Sequence, residues 1–187
     1  GVPLAKLAAQ IMVGATLEEL GFTTEITPPY YTVKESVFPF VKFPGVDIIL
    51  SPEMKSTGEV MGIDADFGLA FYKSQDAASS RLPTSGTVFI SVKDSEKTRI
   101  LPIAKKLHEL GFQIISTKGT NAFLATNNVP SKPVLKLAEG RPNIGDAIKN
   151  GGVQLIINRP IGKGPMLDEA KIRSLAVSFK IPCITTI

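Results

Sequence analysis

From about residue 87 onward the chain alternates short apolar runs with amphipathic stretches. That alternation constrains the fold more than any other feature of the sequence. The apolar runs cover 88–92, 112–116, 133–137, 155–158 and 183–187, and the stretches between them read as helices over 98–110, 121–127, 143–150 and 168–179. In the first helix Ile100, Leu101, Ile103, Ala104, Leu107 and Leu110 recur at helical spacing and Gly111 stops it. Pro102 fits there if the helix begins near Thr98, so that the proline falls in the first turn. Gly151-Gly152 stops the third helix. The apolar runs are continuous rather than alternating, as in strands covered on both faces. The expected fold is α/β, with a five-stranded, mainly parallel sheet between helical layers. Such sheets bind ligands beyond the carboxyl ends of their strands, so the residues there are the candidates for function.

The first eighty residues read differently. Pro3 suits the start of a helix in which Leu4, Leu7, Ala8, Ile11 and Met12 share a face and Gly14 ends it. Thr16 and Glu19 form a capping-box pair for a short second helix ending at Gly21. Pro28-Pro29 breaks the chain, and 30–38 reads as a strand. Phe38, Phe40 and Phe43, interleaved with Pro39 and Pro44, suit an irregular packed segment. A further helix is expected from Phe67 to about Ala78, capped by Asp64 or Asp66. Glu35, Glu53 and Glu59 have no metal-ligand spacing and read as caps or ion-pair partners. The polar, breaker-rich stretch 79–86 is the expected domain boundary. Charge changes sign across it. Residues 1–80 hold five Lys/Arg against ten Asp/Glu, a net of −5, whereas 81–187 hold sixteen against seven, a net of +9. The basic half should attract anions.

Ser91, Lys93 and Lys97 lie at or after the first expected strand of the sheet. Ser116-Thr117-Lys118-Gly119-Thr120 follows the second and leads into a helix. Lys136 and Arg141 follow the third, and Asn158 and Arg159 the fourth. Hydroxyls, a glycine and free N–H groups at a helix start form an anion cradle, and lysines from neighbouring loops add charge-assisted bonds. A Gly-Thr turn alone could equally be an ordinary threonine cap. Its coincidence with three basic loops favours a phosphate site, while Lys93 and Lys118 taken singly read as well as solvated side chains. No nucleophile–base pair is visible. His108 reads as a solvated residue on a helix, Cys183 as an inert buried thiol, and Asp146 as a helix surface charge. One cysteine and one histidine disfavour a Cys/His metal site and exclude an internal disulfide. No run approaches eighteen apolar residues and no signal peptide is visible, so neither a membrane span nor secretion is expected.

Several motifs resemble one family over nearly the whole chain. Gly1-Val2-Pro3-Leu4-Ala5-Lys6, Pro28-Pro29-Tyr30-Tyr31, Val33-Lys34-Glu35, Lys42-Phe43-Pro44-Gly45-Val46-Asp47 and the long run 52–62 (PEMKSTGEVMG) look like the tail of the second ATP-grasp domain of the carbamoyl phosphate synthase large (synthetase) subunit. Thr117-Lys118-Gly119-Thr120, Glu139-Gly140-Arg141-Pro142 and Ile156-Ile157-Asn158 look like the allosteric domain of that subunit, which shares its fold with methylglyoxal synthase. The resemblance implies an α+β remnant of an ATP-grasp domain over 1–80. Over 81–187 it implies a C-terminally truncated, methylglyoxal synthase-like, three-layer allosteric domain. It implies a parent ligase that makes carbamoyl phosphate from bicarbonate, glutamine-derived ammonia and ATP with Mg, for pyrimidine and arginine biosynthesis. The metal-binding Glu and Asn of the second ATP site lie upstream of Gly1 in the family, so the fragment alone is expected to be inactive and to hold no cofactor. The implied effector-binding positions are Ser91, Lys97, Thr117, Thr120, Lys136 and Asn158, for the phosphate of a nucleotide such as UMP or IMP. Pro160 stands where relatives can offer a threonine hydroxyl. N-acetylglutamate-binding relatives use a tryptophan, and this chain has none.

The implied partners are the effector, the rest of the large subunit and the glutaminase small subunit, in the cytoplasm or a plastid, with oligomerisation open. Two rivals remain. A stand-alone lyase of methylglyoxal synthase type is disfavoured because Arg141 stands near one expected acid and no acid lies near the other. A basic nucleic-acid-binding module is disfavoured because Phe89, Phe112, Phe123 and Phe179 sit in apolar patterns instead of forming a stacking platform. No nucleic-acid or membrane partner is expected.

Overall fold

A computed structural model of the chain describes residues 2–37, 58–159 and 167–187. The expected packed segment around Phe38, Phe40 and Phe43, with Pro39 and Pro44, lies outside the described residues, as do Glu53 and Pro160.

The chain opens with α1 (Leu4–Met12), whose N-cap is Pro3, and turns at Gly14, where φ is +107°. The Thr16/Glu19 box forms as its spacing predicts: the Glu19 N–H donates to Thr16 Oγ1 (3.2 Å) and the Thr16 N–H to Glu19 Oε2 (2.9 Å). It closes a turn rather than a helix, because Gly21, at φ +62°, ends the segment within one turn. Strand β1 (Tyr31–Val37) pairs antiparallel with β2 (Gly58–Asp64), Tyr31 opposite Asp64 and Val37 opposite Gly58. The sequence does not predict β2; its glycines and acids resemble a loop, and its partner lies more than twenty residues away. Helix α2 (Phe67–Ala77) starts at Asp66, whose Oδ1 accepts the Leu69 N–H at 2.9 Å.

The remainder is a three-layer unit. Strands β3 (Thr87–Ser91), β4 (Gln113–Ser116), β5 (Lys132–Pro133), β6 (Leu155–Asn158) and β7 (Cys183–Ile184) form one sheet in the order β5-β4-β3-β6-β7. All four pairings are parallel. Helices α3 (Lys97–Glu109) and α4 (Lys118–Thr126) cover one face, and α5 (Ile144–Lys149) and α6 (Leu167–Ser178) cover the other. The pleat explains the two cores. Val88, Ile90, Ile114, Leu155 and Ile157 meet Ile100 and Ala104 of α3 and Leu124 of α4. Phe89 and Ile156 meet Ile144 and Ile148 of α5 and Ile172 and Ala176 of α6.

Several boundaries differ from expectation for local reasons. Helix α3 begins at Lys97, after a 3-10 turn over Asp94–Glu96, so Pro102 is the sixth helical residue rather than part of the first turn. It is exposed there. Helix α4 starts three residues earlier than predicted. Strand β5 is only two residues long, because the chain peels away after Pro133 into a 3-10 turn over Leu137–Glu139. Cys183, in the edge strand β7, is half-buried rather than buried. No helix among the described residues is long and apolar enough to cross a membrane.

Candidate functional site

The strand order fixes where a ligand can enter. The chain runs from β3 outward through β4 to β5, then returns to the far side of β3 as β6 and β7. The direction of winding reverses between β3 and β6, the place where sheets of this kind bind ligands beyond the strand ends. The last register pair of these two strands is Ser91 opposite Asn158. Alternation along the strands puts both side chains on the α5/α6 face, since Phe89 and Ile156, two residues earlier, belong to that core. Thr117 lies one residue past the end of β4, at the start of α4. Lys136 follows β5. Four adjacent strand ends, spanning about 14 Å at ordinary strand spacing, thus carry Lys136, Thr117, Ser91 and Asn158.

Asn158 is fully buried, and among the described residues neither its Nδ2 nor its Oδ1 has a hydrogen-bond partner. A buried carboxamide without partners is costly, on the order of 1–3 kcal/mol for each unsatisfied group. The N-terminus of α4 is also unsatisfied. Thr117 is its N-cap residue, yet the side chain caps nothing. Its hydroxyl lies 3.3 Å from the Thr120 hydroxyl, as donor, and Thr120 Oγ1 lies 3.5 Å from the Val92 carbonyl. Both threonines are buried. The first main-chain bond of the helix is Asn121 N–H to the Thr117 carbonyl, so the preceding N–H groups are left for a ligand or solvent. The threonine-cap alternative is therefore not what this turn adopts.

Lys97, the first residue of α3, reaches that same helix start. Its Nζ lies 3.6 Å from the point a Cβ on Gly119 would occupy, 6.0 Å from the Phe123 ring centroid and 2.8 Å from Asp94 Oδ1. Lys136 is exposed, and its N–H donates to Glu139 Oε2 at 2.9 Å, which fixes the loop while leaving the ammonium in solvent. Lys93 is half-buried and Lys118 exposed. Arg141 is committed elsewhere, bonded through Nε and Nη2 to Asp146. That pairing, with the Asn143 N–H (2.9 Å), holds the Asp146 carboxyl below the usual carboxylate range, the Arg141 bond being the larger cause. Asp146 is thus an anchored member of the α5 cap and not the loose surface charge its position in a helix suggested. His108 is exposed on α3, as expected.

Three residues that matter here escaped sequence reasoning. Asn143 caps α5 through its Oδ1, which accepts from the Gly145 N–H (2.9 Å) and the Asp146 N–H (3.3 Å). Its position three residues before an acid was the available signal. Glu96 is buried between Arg99 (3.1 Å) and Arg159 (3.7 Å), tying the start of α3 to the loop after β6. Asp94 holds Lys97. Neither pairing has a sequence signature beyond i,i+3 spacing. The assembled groups are hydroxyls, main-chain N–H groups, ammonium groups and one carboxamide. They suit binding of an anion with a polar body. Among the described residues no group of three or more His, Cys, Asp or Glu is placed to hold a metal ion.

Comparison with known proteins places the chain in a family. Residues 99–185 match the family described as MGS-like domain. The chain is 54% identical, over its entire length, to the carbamoyl phosphate synthase large chain of Nostoc sp., and covers 17% of that relative. The large chain of Archaeoglobus fulgidus is likewise 54% identical over the entire chain, which covers 18% of it, and that of Pseudomonas putida is 52% identical, with 17% covered. This chain is homologous to the C-terminal region of carbamoyl phosphate synthase large chains. It spans about a sixth of the length of the curated relatives it matches. Within this large-chain region, the MGS-like match begins inside α3 and ends just after β7, so it takes in four of the five strands of the parallel sheet.

Proposed function

We propose that this chain is the effector-binding end of a carbamoyl phosphate synthase large chain, and that its parallel-sheet unit binds a phosphate-bearing nucleotide such as UMP or IMP. In this reading residues 1–80 are the end of an ATP-grasp domain and 81–187 the allosteric domain, with the boundary in 79–86. Thr117, Thr120 and the N–H groups at the start of α4 receive the phosphate. Lys97 and Lys136 neutralise it from the loops on either side. Ser91 and Asn158 meet the sugar or base. The observation that carries the reading is the buried Asn158 carboxamide. Among the described residues it has no partner; it ends β6 at the topological switch point, on the same end of the sheet as an uncapped helix start with a lysine against it.

The whole enzyme would join bicarbonate, glutamine-derived ammonia and ATP with the glutaminase subunit as partner, in the cytoplasm. This part of it would regulate rather than catalyse. Effector binding needs neither ATP nor the metal.

Calorimetric titration of UMP and IMP into the full chain tests the reading. Thr120→Ala or Lys136→Ala should weaken binding roughly tenfold or more, since a charge-assisted bond is worth about 1.5–3 kcal/mol and 1.4 kcal/mol is one decade. Lys180→Ala should change it little. Absence of binding of both nucleotides by the wild-type chain would overturn the assignment.

A further inference from the structure

Lys97 and Asp94 form an ion pair whose two ends are held very differently. The Lys97 side chain is 19% exposed and Asp94 is 94% exposed. The ammonium is fixed against the start of α4 and near the Phe123 ring, while the carboxylate reaches it from open solvent through a 2.8 Å contact. The Arg141–Asp146 pair is the reverse, an exposed arginine on a carboxylate that is 14% exposed and also bonded to the main chain. Asp146 is built into its element, whereas among the described residues the Asp94 carboxylate is held by Lys97 alone.

A carboxylate on Lys97 presents the same chemistry as one edge of a phosphate: oxygens accepting from an ammonium. A phosphate monoester brings a charge of about −1.5 to −2 near neutral pH. It cannot share Lys97 with an adjacent carboxylate without like-charge repulsion. We propose that Asp94 is a built-in competitor for the ligand's phosphate: it occupies Lys97 when the site is empty and must be displaced, so it sets the affinity of the site. The inference rests on the effector-site reading. It adds that a dianionic phosphate displaces Asp94 more readily than a singly charged carboxylate does, which makes Asp94 a selectivity device for phosphate monoesters.

The test is titration of UMP into the full chain at one fixed ionic strength, with Asp94→Asn, Glu109→Gln, Lys97→Gln and the Asp94→Asn/Lys97→Gln pair. Glu109 sits at the far end of α3, paired with Lys106 at 3.6 Å, and its substitution changes net charge by the same amount. An exposed pair is a weak competitor, so Asp94→Asn should tighten binding roughly two- to fivefold while Glu109→Gln does not. In the Lys97→Gln background the gain should vanish. Carboxyl-carbon NMR supplies a second reading. In the free chain Lys97 holds the Asp94 carboxyl below the usual carboxylate range, through its hydrogen bond first and its charge second. Saturation with UMP should bring that titration up to or above the ordinary range. Binding unchanged or weakened in Asp94→Asn overturns the inference while leaving the site intact. So does an equal gain in Glu109→Gln, or a gain that survives without Lys97. If wild type binds no UMP, IMP or inorganic phosphate, the site reading fails and this inference with it.

Discussion

Asn143 fixes a whole loop with one side chain. Its Oδ1 accepts from two N–H groups at the start of α5, and its Nδ2 donates to the Gly140 carbonyl at 2.7 Å. It is 9% exposed, so water cannot replace those bonds readily. Asn143→Ala should therefore destabilise the chain by about 1–2 kcal/mol, read as a lower urea midpoint at unchanged slope. Asp146 adds a pH dependence. Its folded pKa lies below the ordinary value, so its contribution is complete above the unfolded pKa of about 3.9 and is lost as pH falls through the lower folded value. The stability gap between wild type and Asp146→Asn should be flat between pH 7 and 5 and close in more acid solution; a gap that widens there refutes the assignment. Local spacing made the Thr16–Glu19 and Asp66 caps legible. It could not reveal that Asp146 is bonded to Arg141, because that contact depends on how the chain turns through Pro142. Nor could it reveal the isolation of Asn158, which is created by two neighbouring strands and the layers above them.

Strand and helix identities in the second half were legible because continuous apolar runs and 3.6-residue stripes are intrinsic to the segments. Ends and short edges were not: β5 and β7 pair over two residues each, and pairing is a property of two segments at once. Strand β2 is the plainest case, since Val60 and Ile63 favour extension but its two glycines and two acids do not. What holds it is β1 on one side and α2 above. A Cβ on Gly62 would lie 2.0 Å from the Ala70 carbonyl oxygen and 2.5 Å from the Ser74 nitrogen, both main-chain atoms. The helix therefore rests on the strand backbone, and no side chain fits between them. Gly62→Ala should push α2 off β2 and raise amide exchange throughout β1, β2 and α2. Exchange in β3, β4 and β6 should stay at wild-type levels. Wild-type exchange in β1 and β2 would mean that α2 is not the element that holds them.

The two halves of the molecule differ in how much they bury. Among the described residues before 79, only Gly62, Ala70 and Ser74 are buried, and Leu4, Met12, Val13 and Ile26 are more than half exposed. Both core clusters lie beyond residue 87, on the two faces of one sheet. Burial of apolar surface is the main favourable term in folding, so among the described residues nearly all of that stabilisation belongs to the second half. About a hundred residues with two covered sheet faces is an ordinary size for an independent domain. The charge step in the sequence, −5 before residue 81 and +9 from it onward, coincides with this difference in burial. Ser79–Gly86, where the step falls, is a stretch without regular secondary structure. The six proposed effector residues all lie after it. A chain comprising 81–187 should therefore unfold in one cooperative urea transition with a midpoint close to that of the full chain. It should also bind UMP with an affinity within about twofold of the full chain, because no proposed contact is lost. Residues 1–80 alone should show no cooperative transition. A non-cooperative 81–187 would show that the sheet unit depends on the first eighty residues. A cooperative one that no longer binds, where the full chain does, would place part of the effector site before residue 81.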